Sequence, residues 1–322
     1  MIVCISANPA IDKRLIIDEL VIGGVNRSRS SIPFAGGKAA HVAMAVKALG
    51  EEVAWIGFLG GAAGQQIERQ LVELGIDVTA VRTESDTRTN LEIIDKSGTI
   101  TEILEPGGAV TLDELERFRS TCAESFEKAG NELVVVLSGS LPPGVPKDEY
   151  SSLTTIARSF GGKVIVDASG AALDASLAAA PDLIKPNWSE AEHASGVSIR
   201  NHDDAVDAAR ILTDRGAKAV ALTLGKDGLM FSGPSSAPIF AKPPTVDVVS
   251  TVGCGDATVA GFAVAMKRGL DETAAVRLAS ACGAANCLAE LPGQIRRSDV
   301  ERLMPEIRVQ IGADTSSAVV DY

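Results

Sequence analysis

The chain has no long apolar run, no metal-spaced cysteines, no basic surplus and few aromatic residues, and each lack removes something. No apolar stretch approaches the ~20 residues needed to span a bilayer, so a membrane protein built on helices is not expected. Met1 leads straight into the apolar run Ile2 to Ile5 without a basic segment before it, so no signal peptide is expected. The five cysteines, Cys4, Cys122, Cys254, Cys282 and Cys287, show neither zinc spacing nor a paired framework and read as reduced thiols of a cytoplasmic protein. A net charge of −12 argues against nucleic acid as a partner, because a duplex binder needs a basic face for phosphates. A few Arg and Lys gathered in one cleft can still hold a small anion. With aromatic residues at only 4%, the core must come mostly from Ala, Val, Leu and Ile. Two nucleotide signatures are missing as well. There is no G-x-x-x-x-G-K-[ST], and a dinucleotide pattern starting at Gly253 would need glycine where Thr258 stands.

The composition that remains is globular, 46% apolar and 22% charged, and 322 residues suffice for one main α/β domain with an appendage. Short Val/Ile-rich runs alternate with amphipathic segments, the pattern of a parallel sheet covered on both faces. Strands are expected at Val53 to Phe58, Leu133 to Leu137, Val164 to Asp167, Leu183 to Lys185 and Ala219 to Leu224. Helical spacing joins Val42, Val46 and Leu49 before Gly50, and Ile67, Leu71 and Leu74 before Gly75. Arg14 to Ile32 and Asn90 to Leu104 break this alternation and read as strands of a small antiparallel appendage, the second turning at Lys96-Ser97-Gly98. Apolar residues on its outer face would need a cover, either a ligand or a second subunit. The polar end, Ile311 to Tyr322, reads as loosely held.

The strongest chemical signal is Ser250-Thr251-Val252-Gly253-Cys254-Gly255-Asp256, followed at once by the helical run Ala257 to Arg268. Two glycines before a helix let the backbone approach a ligand, and the helix start offers free N–H groups and a positive dipole end to an anion. Asp256 there is either an ordinary N-cap or a base beside an anion cradle. The thiol of Cys254 at the same helix start would be biased toward thiolate. Ala35-Gly36-Gly37-Lys38 also opens a helix, with Lys38 either a point charge for an anion or simply solvated. Asp12 in Asn8-Pro9-Ala10-Ile11-Asp12 could hold sugar hydroxyls or serve as a turn aspartate.

Together with Ser138-Gly139-Ser140-Leu141-Pro142-Pro143-Gly144 and Lys185-Pro186-Asn187 plus Glu190, these segments resemble, in order and separation along nearly the whole chain, the PfkB-type carbohydrate kinases of the ribokinase-like superfamily. The similarity is greatest to the branch that phosphorylates phosphosugars, namely 1-phosphofructokinase, the minor 6-phosphofructokinase and tagatose-6-phosphate kinase. The resemblance implies a three-layer α/β/α core with a small antiparallel β lid, one kinase domain over 1–322 with lid segments at about 13–33 and 87–105. It also implies transfer of a phosphoryl group from ATP with Mg²⁺, leaves K⁺ open as a further ion, and suggests a homodimer through the lid. By motif, Asp256 corresponds to the base, and the N–H groups of Gly253, Cys254, Gly255 and Asp256 to an anion hole. Asn187 and Glu190 correspond to the pair that orders Mg²⁺ through water, although helix capping is the ordinary alternative. Lys185, Asn187, Thr223, Gly225 and Gly228 fall on the nucleotide side. Asp12, Gly36, Gly37, Lys38, Arg88, Asn90 and Ser138 fall on the substrate side, with Arg27, two residues from Arg29 on an expected strand face, as a further cation.

Departures from the pattern are specific. Ala39-Ala40-His41 stands where the phosphosugar branch has Gly-Ile/Leu-Asn, Met44 replaces the customary Arg, and Cys254 replaces Ala or Ser. The missing asparagine is a sugar contact in that branch. His41 either replaces it as a donor, titrates near neutral pH, or marks a different substrate. His193 and His202 read as surface residues. Two other functions compete with a phosphosugar kinase. A kinase of an unphosphorylated sugar or nucleoside is opposed by the cationic set Arg27, Lys38 and Arg88; a non-catalytic sugar-phosphate sensor is opposed by intact Gly253, Gly255 and Asp256.

Overall fold

In a computed structural model, which describes residues 1–234 and 237–312, the expected alternation of strands and helices is present. The strands are β1 (Ile2–Ser6), β2 (Ala10–Ile16), β3 (Ser30–Gly36), β4 (Val53–Leu59), β5 (Asp77–Arg82), β6 (Arg88–Ile94), β7 (Ile100–Ile103), β8 (Val134–Ser138), β9 (Lys163–Asp167), β10 (Leu183–Ile184), β11 (Val220–Thr223), β12 (Leu229–Ser232), β13 (Ile239–Lys242) and β14 (Arg308–Ile311). The helices are α1 (Lys38–Ala48), α2 (Gly61–Glu73), α3 (Leu112–Ala129), α4 (Glu149–Ser159), α5 (Gly170–Ser176), α6 (Trp188–Ser195), α7 (His202–Asp214), α8 (Cys254–Arg268), α9 (Glu272–Asn286) and α10 (Arg297–Leu303).

One large sheet runs in the order β14-β13-β12-β11-β10-β9-β8-β1-β4-β5, parallel from β11 to β5 and antiparallel at the β12 to β14 edge. Its central strand β1 lies between β8 and β4, with Ile2 opposite both Val134 and Val53. Such a strand is buried on both faces, which is why its sequence is continuously apolar. Alternate side chains serve two cores: Ile2 and Cys4 join the layer with α1, α8 and α9, whereas Val3 and Ile5 join the layer with α3, α4 and α7. The result is the three-layer arrangement expected. Small side chains let the α1, α8 and α9 layer pack closely. At Gly261 in α8 a Cβ would stand only 2.5 Å from the Ala279 Cα of α9. Among the described residues, no helix is long and apolar enough to cross a membrane.

The second sheet, β3-β2-β6-β7, consists of two antiparallel hairpin pairs joined at the centre by parallel pairing of β2 with β6. Its second hairpin turns where expected, with Asp95 Oδ1 accepting from the backbone N–H groups of Ser97 and Thr99. The first departs from expectation. Arg14 to Ile32 is not continuous strand, because the residues between β2 and β3 leave the sheet through an exposed turn at Ile22–Gly23. Arg27 and Arg29 therefore lie in an exposed loop and not on a common strand face, and Arg29 pairs with Asp18. The expectation of a loose C-terminal end falls mainly on 313–322, outside the described residues.

Candidate active site

Parallel strands in an open α/β sheet present their carboxyl ends to a crevice, and the chemistry-bearing residues gather at that edge. Ser6, Ser138 and Thr223 end β1, β8 and β11 and line a cleft of about 550 Å³ between the sheet edge, the small sheet and the start of α8. This volume suits a small metabolite.

Gly253, at φ 82°, caps the N-terminus of α8 in the left-handed conformation, so Asp256 is the third residue of the helix and not its N-cap. Its carboxylate is thus left for the cleft. The first-turn N–H groups of Gly255 and Asp256 have no intrahelical acceptors and sit at the positive end of the helix. Gly255 also lies beside a cation, since a Cβ there would be 3.2 Å from Lys185 Nζ. The thiol of Cys254 turns away from the cleft to lie 3.2 Å from Cys287 Sγ and 3.5 Å from Asn286 Nδ2. Hydrogen bonding with Cys287, then burial, push the Cys254 thiol up, against the thiolate expected at a helix start.

On the opposite wall, Gly37 caps α1 at φ 84° and donates its N–H to Asp12 Oδ2 at 3.3 Å. Asn90 Nδ2 donates to Asp12 Oδ1 at 2.9 Å. Burial works against the charged form of Asp12, yet His41, Asn90 and Gly37 hold its carboxyl below the usual range. Gly36 is required by packing, because a Cβ there would meet the Asp12 carboxyl at 2.1 Å. His41, buried on α1, stands between two carboxylates. Its Nδ1 is 2.8 Å from Asp256 Oδ2 and its Nε2 3.3 Å from Asp12 Oδ2, the latter without hydrogen-bond alignment. Arg88 lines the cleft with its guanidinium donating to the carbonyls of Glu105 at 2.6 Å and Asn8 at 3.0 Å, while Nε is buried without a partner.

Asp167, which the sequence reading did not single out, organises the middle of the site. It is fully buried at the end of β9, accepts from Lys38 Nζ at 3.2 Å and from Ser138 Oγ at 3.4 Å, and lies 3.3 Å from Lys185 Nζ. Burial raises its pKa, but Lys185 and Lys38 outweigh that and hold it low. Burial likewise opposes the charge of Lys38, whereas Asp167, Asp256 and Glu190 push its pKa above the ordinary lysine value. The available signal was an acid closing an apolar strand at the carboxyl edge of the sheet.

Asn187 and Glu190 form a capping box on α6, Asn187 Oδ1 accepting from the Glu190 N–H at 2.8 Å and Glu190 Oε2 from the Asn187 N–H at 2.9 Å. Both still line the cleft, and Glu190 Oε1 is 4.0 Å from Lys38 Nζ. Gly225 and Gly228 lie outside the cleft lining, as does Arg27. Gly228 is demanded by the fold, since a Cβ would meet the Ala241 carbonyl oxygen at 2.1 Å.

The open helix N-terminus and the two lysines over a buried aspartate attract phosphate groups, and the second wall is rich in side chains that hydrogen-bond hydroxyls. The chain belongs to the pfkB family carbohydrate kinases, whose family model matches residues 18–295. It is 31% identical over 310 residues to the 1-phosphofructokinase of Bacillus subtilis, covering 96% of this chain and 99% of that one. Against the 1-phosphofructokinase of Escherichia coli it is 34% identical over 308 residues, 95% and 97% of the two chains. The structure of Escherichia coli phosphofructokinase-2 in complex with fructose-6-phosphate superimposes with a TM-score of 0.86 at 29% identity, covering 95% and 98%.

Proposed function

We propose that this kinase transfers the terminal phosphoryl group of ATP to a hydroxyl of a ketohexose phosphate: fructose 1-phosphate, fructose 6-phosphate or tagatose 6-phosphate. The observation that carries the reading is the placement of the Asp256 carboxylate on the first turn of α8, facing the Asp12 and Asn90 wall across one cleft. Supporting it, the relatives are 1-phosphofructokinases and a structural neighbour is complexed with fructose-6-phosphate. In this reading Asp12 and Asn90 orient the sugar. Asp256 takes the proton from the attacking hydroxyl, and the N–H groups from Gly253 to Asp256 stabilise the charge on the transferring oxygens. Lys185 meets the nucleotide phosphates and Lys38 the phosphate of the acceptor, with Asp167 paired to both lysines. The donor set fits a hydrated divalent ion held at second hand, since Glu190 Oε1 is not used by the capping box. Mg²⁺, when bound, neutralises phosphate charge; K⁺ is a further candidate, a potassium complex being known for Escherichia coli phosphofructokinase-2.

One observation favours an unphosphorylated acceptor instead: two arms of Arg88 already donate to backbone carbonyls, so less of the guanidinium remains for a phosphate. We also propose that the small sheet acts as a lid and dimer contact, since it and its loop expose Val21, Ile22, Val25, Ile32, Ile103 and Leu104. Sedimentation of Ile22→Asp against wild type tests the contact. ADP release with and without ketohexose phosphates tests the function. Release that depends on the sugar phosphate supports it, and binding of the sugar phosphate without ADP release would mark a sensor.

A further inference from the structure

The histidine at position 41 sits where no solvent-exposed role explains it. It projects from α1, a helix whose side chains from Ala39 to Val46 are all buried, and only 4% of His41 itself is exposed. Its Nδ1 lies 2.8 Å from Asp256 Oδ2. An ionised carboxylate only accepts, so Nδ1 must carry the proton and donate. Its Nε2 lies 3.3 Å from Asp12 Oδ2 and has no other partner. A neutral ring protonated on Nδ1 would set an Nε2 lone pair against a carboxylate oxygen, which is repulsive. A ring protonated on both nitrogens faces a carboxylate at each end.

We propose that His41 is a positioning residue for phosphoryl transfer: a cationic bridge that fixes the Asp256 carboxylate of α8 and the Asp12 carboxylate of β2 in one geometry. The inference rests on the reading of Asp256 as the base. It differs from the direct sugar contact that an asparagine makes at this position in the resembling branch, because both ring nitrogens of His41 face carboxylates.

The surroundings support a charge there. Facing or near the ring are Asp12 from β2, Asp256 from α8, Glu102 from β7 and Lys38 from α1 itself. Phe34 of β3 lies 6.4 Å away ring to ring, with Arg14 over that phenyl ring and itself paired with Glu92 at 2.8 Å. Burial pulls the imidazolium down, but the carboxylates of Asp12 and Asp256 beside it push it up to about 10. Glu102 shows the same crowding: burial first, then Glu92, Asp12 and Asp256, raise its pKa. A cation between the carboxylates relieves that repulsion, and a neutral amide would not. A histidine here also ties the sugar-orienting wall to the reacting wall.

The test uses the whole chain labelled with ¹⁵N-histidine, which contributes three residues, His41, His193 and His202. The His41 resonances are assigned by their loss in His41→Asn. Both ring nitrogens of His41 should be protonated at pH 7.5 and stay so until the pH approaches 10. Turnover of the same variant supplies the second readout. Wild-type kcat/KM should fall as the pH rises toward 10, where His41 loses its proton, and that limb should be absent from His41→Asn. His41→Gln serves the same purpose if the asparagine variant does not fold. A neutral imidazole at pH 7.5 overturns the proposal. So do pH profiles that superimpose after scaling, which is what a packing role alone would give. Asp256→Asn reports separately on the base: if that variant keeps its turnover the base assignment fails, whatever the protonation of His41.

Discussion

Replacing Asp167 with asparagine would leave two lysines without their shared counter-charge, and the two do not weigh equally. Lys185 is only 4% exposed and 3.3 Å from the Asp167 carboxylate. Lys38 keeps 37% of its side chain in solvent, so its pairing is screened and contributes about 1 kcal/mol at most. Removing one partner of a buried pair costs about 3–5 kcal/mol, because the remaining charge is stranded. Asp167→Asn should therefore lose about 3 kcal/mol or more in urea unfolding at pH 7.5. The pH dependence has a definite sign. Asp167 is held below its unfolded value, so its contribution is fully present above the unfolded carboxylate pKa of about 4 and disappears as pH falls through the folded value. The gap between wild type and variant should be constant from about pH 5 to 8 and narrow below that range. A variant within about 0.5 kcal/mol of wild type at pH 7.5 would refute the claim that Asp167 anchors the two lysines.

Three further outcomes are expected. Asp256→Asn keeps the shape but removes the proton acceptor, so kcat should fall by about 10² to 10⁴ with little change in sugar binding, and near-normal turnover would dismiss Asp256 as the base. Arg88→Ala should lower kcat/KM for a ketohexose phosphate by about 10- to 150-fold, the equivalent of one charge-assisted hydrogen bond, and the free sugar far less. Equal losses would mean that Arg88 only braces Glu105 and Asn8 through the contacts it already makes. A thiol reagent should label Cys254 slowly, because hydrogen bonding with Cys287 and burial raise its thiol; peptide mapping showing rapid labelling of Cys254 would contradict this.

Legibility of the fold followed from burial. Strands such as Val53–Leu59, with every residue buried, announce themselves as continuous apolar runs, and capped helices as periodic ones. The loop between β2 and β3 was misread because Val21, Ile22 and Val25 look strand-like in sequence yet are exposed. At the site, short motifs marked Gly253, Asp256, Gly37 and Asp12 because close backbone approach demands particular residues locally. Asp167 escaped because its role comes from lysines at positions 38 and 185, brought together only by the fold. Cys254 misled for the same reason. Its helix position was legible, but the Cys287 thiol that reverses its acidity comes from another helix end.

The most direct test of the central claim is kcat/KM with ATP across fructose 1-phosphate, fructose 6-phosphate, tagatose 6-phosphate and the corresponding free sugars, measured by ADP release and confirmed by mass of the product. One of the ketohexose phosphates should be the best acceptor, by at least about tenfold over its free sugar, the difference a single charge-assisted hydrogen bond supplies. Equal or better turnover of a free sugar would contradict the assignment and give the cleft to an unphosphorylated acceptor.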